Sequence, residues 1–426
     1  MLYYQRCGAE LKSDCAGDFA HPECHTQKCV LYEDSSKQID VTGGWHDAGD
    51  YGRYSVAGAT SVADLLLAYE NYPKAFDDNV GIPESNNGIP DVLDEARYEL
   101  EWLLKMQRKD GGVYHKVTCH NFPGEVMPQD ETDELIVMPV STTATGDFAA
   151  VMAMASRIYE KTDKAFADKC LKASKKAAEY IDKTPTDTKG YRNPSDVTTG
   201  EYEDTCDIDE RFWAYAELFK TTGDKAYETA MLKELPKNGY SLGWQGVAGY
   251  GAYAYLSAKQ AKETKDIKAE AEATAKQIVS YAHSNAYGSS IITSYPWGSN
   301  LTIANNGQFL LLMKEALGNA DKDTIDKQLN YLFGNNATGY SFLTGYGTLY
   351  PEHPHHRPSQ ATGKTVPGMI VGGPNSGLDD PYVANVLRGT PAAKCYADNS
   401  QSYSTNEITI YWNSPVIYLL AGEMNQ

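Results

Sequence analysis

The 426-residue sequence predicts an all-α fold, one closed body of helical hairpins. Three observations carry the prediction. Apolar residues recur at helical spacing in twelve segments, strand-type alternation is scarce, and no Pro/Ser-rich tract divides the chain. Length alone suggests two or three domains, but single large barrels are an exception to that prior.

The elements follow in order. Val62, Leu65, Leu66 and Tyr69 fall at i, i+3, i+4 and i+7, and Leu93, Ala96, Leu100, Leu103 and Leu104 repeat the pattern. The same spacing predicts helices near 144–161, 164–183, 207–221, 224–234, 246–261, 267–285, 301–317, 321–334, 380–388 and 408–423. Thr222-Gly223-Asp224 is a clear break, since Gly can close one helix in the left-handed region and Asp can cap the next.

Ahead of these helices lies a cysteine-rich segment. Cys7, Cys15, Cys24 and Cys29, half of the eight cysteines, fall within thirty residues, with His21, His25 and His46 nearby. This is a local device, not a disulfide framework for the whole chain. A disulfide such as Cys15 with Cys29 competes with a structural zinc held by four Cys and His ligands, and free buried thiols are the third reading. The opening Met1-Leu2-Tyr3-Tyr4-Gln5-Arg6-Cys7 lacks the basic-then-apolar layout of a signal peptide. The expectation is an intracellular protein or an excised mature domain.

The stretch Gly43-Gly44-Trp45-His46-Asp47-Ala48-Gly49-Asp50-Tyr51-Gly52-Arg53-Tyr54 sets two carboxylates three residues apart among small residues and aromatics. Such a turn suits a site where a ring stacks beside an acid pair. It also suits an acidic turn whose Asp side chains bond their own backbone.

The longest connection, 335–379, carries Tyr346, His353, His355, His356 and Arg357, and long connections are more often functional than accidental. Adjacent histidines rarely reach one ion, whereas imidazole and guanidinium donors suit sugar hydroxyls and carboxylates. His356 reads equally well as a packed loop histidine. Gly111-Gly112-Val113-Tyr114-His115-Lys116-Val117 is by itself a hairpin with an ordinary histidine. The run from Glu201 to Glu210 concentrates hard oxygen donors at a helix start, which suits Ca2+ or plain helix capping.

Composition limits the partners. A net charge of −19 argues against nucleic acid and anionic membrane, and no run approaches the ~20 apolar residues of a membrane helix. The 31 tyrosines favour a neutral polymer, because sugar C–H faces pack on aromatic rings while phenol hydroxyls bond their rims.

The segment from Gly43 to Tyr54, together with Pro354-His355-His356-Arg357-Pro358 behind Tyr346-Gly347, and Asn406-Glu407 with Trp412-Asn413, resembles the three motifs of glycoside hydrolase family nine, the inverting cellulases. The resemblance runs in the family's order over about the full length. It implies an (α/α)6 barrel and a single catalytic domain over 1–426, with 1–54 the zinc-binding and catalytic-base segment and 55–426 the rest of the barrel. It implies Asp50 as general base, Glu407 as general acid and Asp47 as a second holder of the water. Inversion places the acid and base ~6.5–9.5 Å apart, and Tyr403, Tyr411 and Trp412 would keep Glu407 dry. It further implies His115, Trp297, Tyr346, His355, Arg357 and Trp412 as substrate contacts, with Trp244 a weaker one. Its zinc-containing members point to Cys7, Cys24, His25 and His46 as ligands, and its calcium-binding members to Thr205, Asp209 and Glu210.

The implied activity is endo-β-1,4-glucanase action on cellulose and related β-glucans. A cellobiohydrolase of the same family and a non-catalytic carbohydrate-binding domain are the alternatives. A secreted monomer preceded by a small immunoglobulin-like domain completes the expectation.

Overall fold

The computed structural model describes every residue except Asn238, Asn319, Ala320 and Gln426. Six helices, Ser55–Asn71, Thr142–Tyr159, Ile208–Thr222, Ala248–Leu256, Ser299–Leu317 and Ile410–Met424, form an inner ring. Each packs on the next and the last returns to the first, which closes the barrel. Outside them lie Asp91–Met106, Lys164–Lys183, Lys225–Met231, Lys265–His283, Lys322–Leu332 and Pro381–Val386. This is an (α/α)6 barrel, and all twelve expected helices are present.

Sequence decides which helix goes inside. Thr142–Tyr159 is built of Ala, Thr, Gly, Met and Val, and buries residues on all sides from Thr142 to Ser156. A helix apolar all round is stable only when surrounded by protein. Lys164–Lys183 buries one stripe, Phe166, Ala167, Cys170, Ala173, Ser174, Ala177, Ala178 and Ile181, and turns its lysines outward. Polar links fix the ring from within. Asp64, 2% exposed, accepts from Tyr250 Oη (2.8 Å), Gln308 Nε2 (2.5 Å) and Ser414 Oγ (2.6 Å), so one carboxylate joins four inner helices.

The expectation of almost no strand needs correction. A five-stranded sheet runs in the order Asp34–Ile39, Cys29–Leu31, Ile136–Val137, Lys116–Thr118, Arg53–Tyr54, and Val113–Tyr114 pairs with Val140–Ser141. These strands span two to six residues, too few for alternation to show. Arg53–Tyr54 follows directly on the segment that holds Asp47 and Asp50. Short helical turns at Ser13–Ala16, Arg357–Thr362 and Tyr403–Asn406 were likewise not expected.

Candidate active site

Backbone hydrogen bonds stitch three distant motifs into one surface. Asp47 N–H donates to Gly52 O (2.9 Å), closing the aspartate loop on itself, and Trp45 is fastened beneath it by Glu99 (2.6 Å to its N–H) and Glu95 (2.8 Å to its indole). Arg357 N–H donates to Gly49 O, Ile410 N–H to Asp47 O, and His355 N–H to Asn406 O. A Cβ at Gly49 would stand 2.3 Å from His355 O, so only glycine permits this approach.

Asp47, Asp50 and Glu407 thereby open on one cavity of about 610 Å³. Trp244, Trp297 and Trp412 line it together with Tyr54, Tyr202, Tyr403 and Tyr411, and His355 and Arg357 reach it from the long connection. Burial, and next the charge of Asp50, raise the proton affinity of Glu407 well above that of an ordinary glutamate, with Arg357 opposing. Asp47 is likewise pushed well up by burial, while its hydrogen bond from Tyr202 works the other way. Burial thus favours the protonated form of Glu407 and of Asp47 alike, and a carboxyl that holds its proton is what general-acid work requires.

Two of the expected substrate contacts lie elsewhere. His115 is fully buried, with Nδ1 at 2.8 Å from Ser141 Oγ, Nε2 at 3.0 Å from Glu201 O, and its ring stacked on Tyr191. Burial lowers its pKa to about 3. Tyr346 is 57% exposed and lies outside the cavity lining. Conversely, Tyr202 was missed. Its hydroxyl donates to Asp47 and sits 3.2 Å from that of Tyr411, with its backbone at φ 49°. It falls within the acidic run read as calcium ligands, and nothing local marks it as a site residue. His356 is buried between Gln5 and Ser359, the packed loop histidine of the second reading.

Cys7, Cys24, His25 and His46 are all buried, with one candidate ligand atom from each within 4.8 Å of the others. His25 Nδ1 lies 3.3 Å from His46 Nε2, Cys7 Sγ 3.7 Å from His25 Nδ1 and Cys24 Sγ 3.9 Å from His46 Nε2. A zinc tetrahedron with bonds of about 2.0–2.3 Å has edges of roughly 3.3–3.8 Å, so the set fits that ion. Glu131 meets the far nitrogen of His25 at 2.9 Å, the orienting partner such ligands use. Cys15 and Cys29 are free thiols, as are the other six, which removes the disulfide reading.

Around Asp209 the acids are denser than the sequence showed. Asp147 and Glu210 are fully buried and none of their four carboxylate oxygens has a hydrogen-bond partner. Asp204 Oδ2 is also unpartnered, Asp209 accepts from Val247 N–H (2.9 Å), and Thr205 is exposed. Burial, then neighbouring acids, push Asp147 and Glu210 well above the usual carboxylate range. A hard cation would fit this donor set. Asp147 was missed because it lies sixty residues away in the helix Thr142–Tyr159.

Paired acids among aromatic rings are what glycosidic hydrolysis demands, and the comparisons agree. Residues 1–420 match the glycosyl hydrolase family 9 profile. The chain is 37% identical to a cellodextrinase of Butyrivibrio fibrisolvens over 99% of its own length and 81% of that protein's. A single mutant of a thermostable endoglucanase from Alicyclobacillus acidocaldarius superposes with a TM-score of 0.96 at 36% identity, covering 100% of this chain and 82% of that one. A Zn-binding triple mutant of a family 9 endoglucanase superposes at 0.93 with 35% identity, covering 100% and 83%. The chain belongs to glycosyl hydrolase family 9, and it is a glycoside hydrolase.

Proposed function

We propose that the enzyme cuts internal β-1,4-glucosidic bonds of cellulose and related β-glucans with inversion at the anomeric carbon. Glu407 protonates the departing glycosidic oxygen. Asp50 takes a proton from the attacking water, and Asp47, steadied by Tyr202, holds that water in line. The observation that carries this reading is the shared cavity, in which two acid-loop aspartates and a proton-retaining glutamate meet a wall of aromatic rings. Trp297, Trp412, His355 and Arg357 bind the sugar.

The reading extends to the metals. The four Cys and His side chains hold a structural zinc, whose binding fixes the segment that leads directly into Asp47. Asp209 and Glu210, with Asp147 and Asp204 in place of Thr205, hold calcium. The chain acts as one catalytic domain over 1–426, outside the cell, where an insoluble polymer is met.

The test follows the first product by proton NMR. Inversion yields the α-anomer from a β-linked substrate, and retained β-configuration would overturn the roles of Asp50 and Glu407. On carboxymethyl cellulose, internal cutting lowers viscosity faster than it releases reducing ends, and slow viscosity loss would mean action from chain ends.

A further inference from the structure

Phe122 is an apolar ring left 46% exposed on the wall of the catalytic cavity. Isolated surface rings are ordinary, but this one shares a cavity with three tryptophans and the catalytic acids. It belongs to the connection between the strands Lys116–Thr118 and Ile136–Val137, a segment whose anchoring is unusually complete. Thr198 N–H donates to His120 O (2.8 Å) and Thr198 Oγ1 to Asn121 Oδ1 (2.9 Å), just before the ring. Arg357 Nε donates to Pro123 O (3.0 Å), just after it, and the guanidinium carbon lies 5.8 Å from the ring centre. Further along, Tyr51 Oη donates to Val126 O, and Glu131 meets His25 of the cysteine–histidine cluster. A loop that only covered the surface would not need five anchors around one exposed aromatic.

We infer that Phe122 is a specificity-determining residue, a preset platform on which the C–H face of a glucosyl unit stacks as the glucan chain passes Arg357. The inference rests on the β-glucan reading of the cavity. With the backbone anchored on both sides of it, the ring is carried on a segment that loses little freedom when sugar binds, so its contribution appears in binding and not in the chemical step. It also ties substrate binding to the cysteine–histidine cluster, because the same loop is fastened at Glu131.

Steady-state kinetics on cello-oligosaccharides test this with three variants. Phe122→Ala raises KM about tenfold with kcat within about twofold, the pattern of lost uniform binding. Phe122→Tyr, which keeps a flat ring, restores KM. Phe122→Leu keeps an apolar cover over Arg357 but no flat face, and stays as poor as Phe122→Ala. Thermal unfolding of all three matches that of the parent enzyme. An unchanged KM in Phe122→Ala, or full recovery in Phe122→Leu, overturns the platform. Failure of the parent enzyme to cleave or bind these oligosaccharides at all would instead overturn the β-glucan reading.

Discussion

The backbone N–H of Arg357 donates to the carbonyl of Gly49 at 3.0 Å, joining two segments three hundred residues apart. The same approach brings His355 O to within 2.3 Å of where a Cβ on Gly49 would stand. The obstacle is backbone, which cannot swing aside. Gly49→Ala is therefore expected to push the aspartate loop off the histidine–arginine segment and to lower kcat/KM on carboxymethyl cellulose about 100-fold, the scale of an ångström-sized misplacement. The barrel core is untouched, so unfolding temperature changes little. Activity within a few-fold of the parent would show that the loop tolerates the displacement.

The buried hub at Asp64 predicts a pH dependence of stability. Burial raises its pKa from 3.8 to about 6, against the opposing hydrogen bonds of Ser414, Gln308 and Tyr250. The folded state therefore binds the Asp64 proton more tightly than the unfolded chain does. Its contribution is full below about pH 4, declines as pH rises through about 6, and is constant above. The change is on the order of 3 kcal/mol, from about two pK units at 1.36 kcal/mol each. Denaturant unfolding at a series of pH values measures it. The difference between the parent and Asp64→Asn isolates this group from Asp147 and Glu210, and parallel curves for the two proteins would refute the assignment.

Removal of metal is expected to act on fold and site together, because His46 precedes Asp47 directly. Elemental analysis should find about one zinc per chain, and Cys24→Ser should lose it. Chelation should lower the unfolding temperature by several degrees while reducing activity. Protein that is purified without metal and unfolds unchanged in the presence of chelator would dismiss the site.

What could be read from the sequence was whatever is local. The inner helices announce themselves because a helix enclosed by others needs small and apolar residues on every side, as Thr142–Tyr159 shows. The strands do not, being short pieces held by pairing partners far along the chain. Asp47, Asp50, His355, Arg357 and Glu407 were found through motifs that resemble the family's, and the fold brings all five to one cavity. Tyr202, Phe122 and Asp147 were not, since their roles arise only when distant segments are brought to the same place. His115 was expected at the cleft only through the family resemblance; its own glycine-rich segment reads as a hairpin with an ordinary histidine, and its ring stacks on Tyr191 outside the cavity lining.

The division of labour between Asp50 and Glu407 makes the sharpest prediction. Asp50→Ala removes the group that activates water, so turnover should collapse on every substrate regardless of its leaving group. Glu407→Gln keeps the shape but has no proton to give. Cellulose, with a poor leaving group, should lose about 100- to 10,000-fold, while an activated aryl β-cellobioside should lose far less. The pH profile supplies a second check. Because burial and the neighbouring Asp50 charge hold the Glu407 proton well above the ordinary carboxylate range, cellulase activity should persist above pH 4.5 and fall only as that raised value is passed. In Glu407→Gln the residual activity on the aryl substrate should lose this alkaline decline. A decline that survives in the variant would assign the titrating acid to another residue.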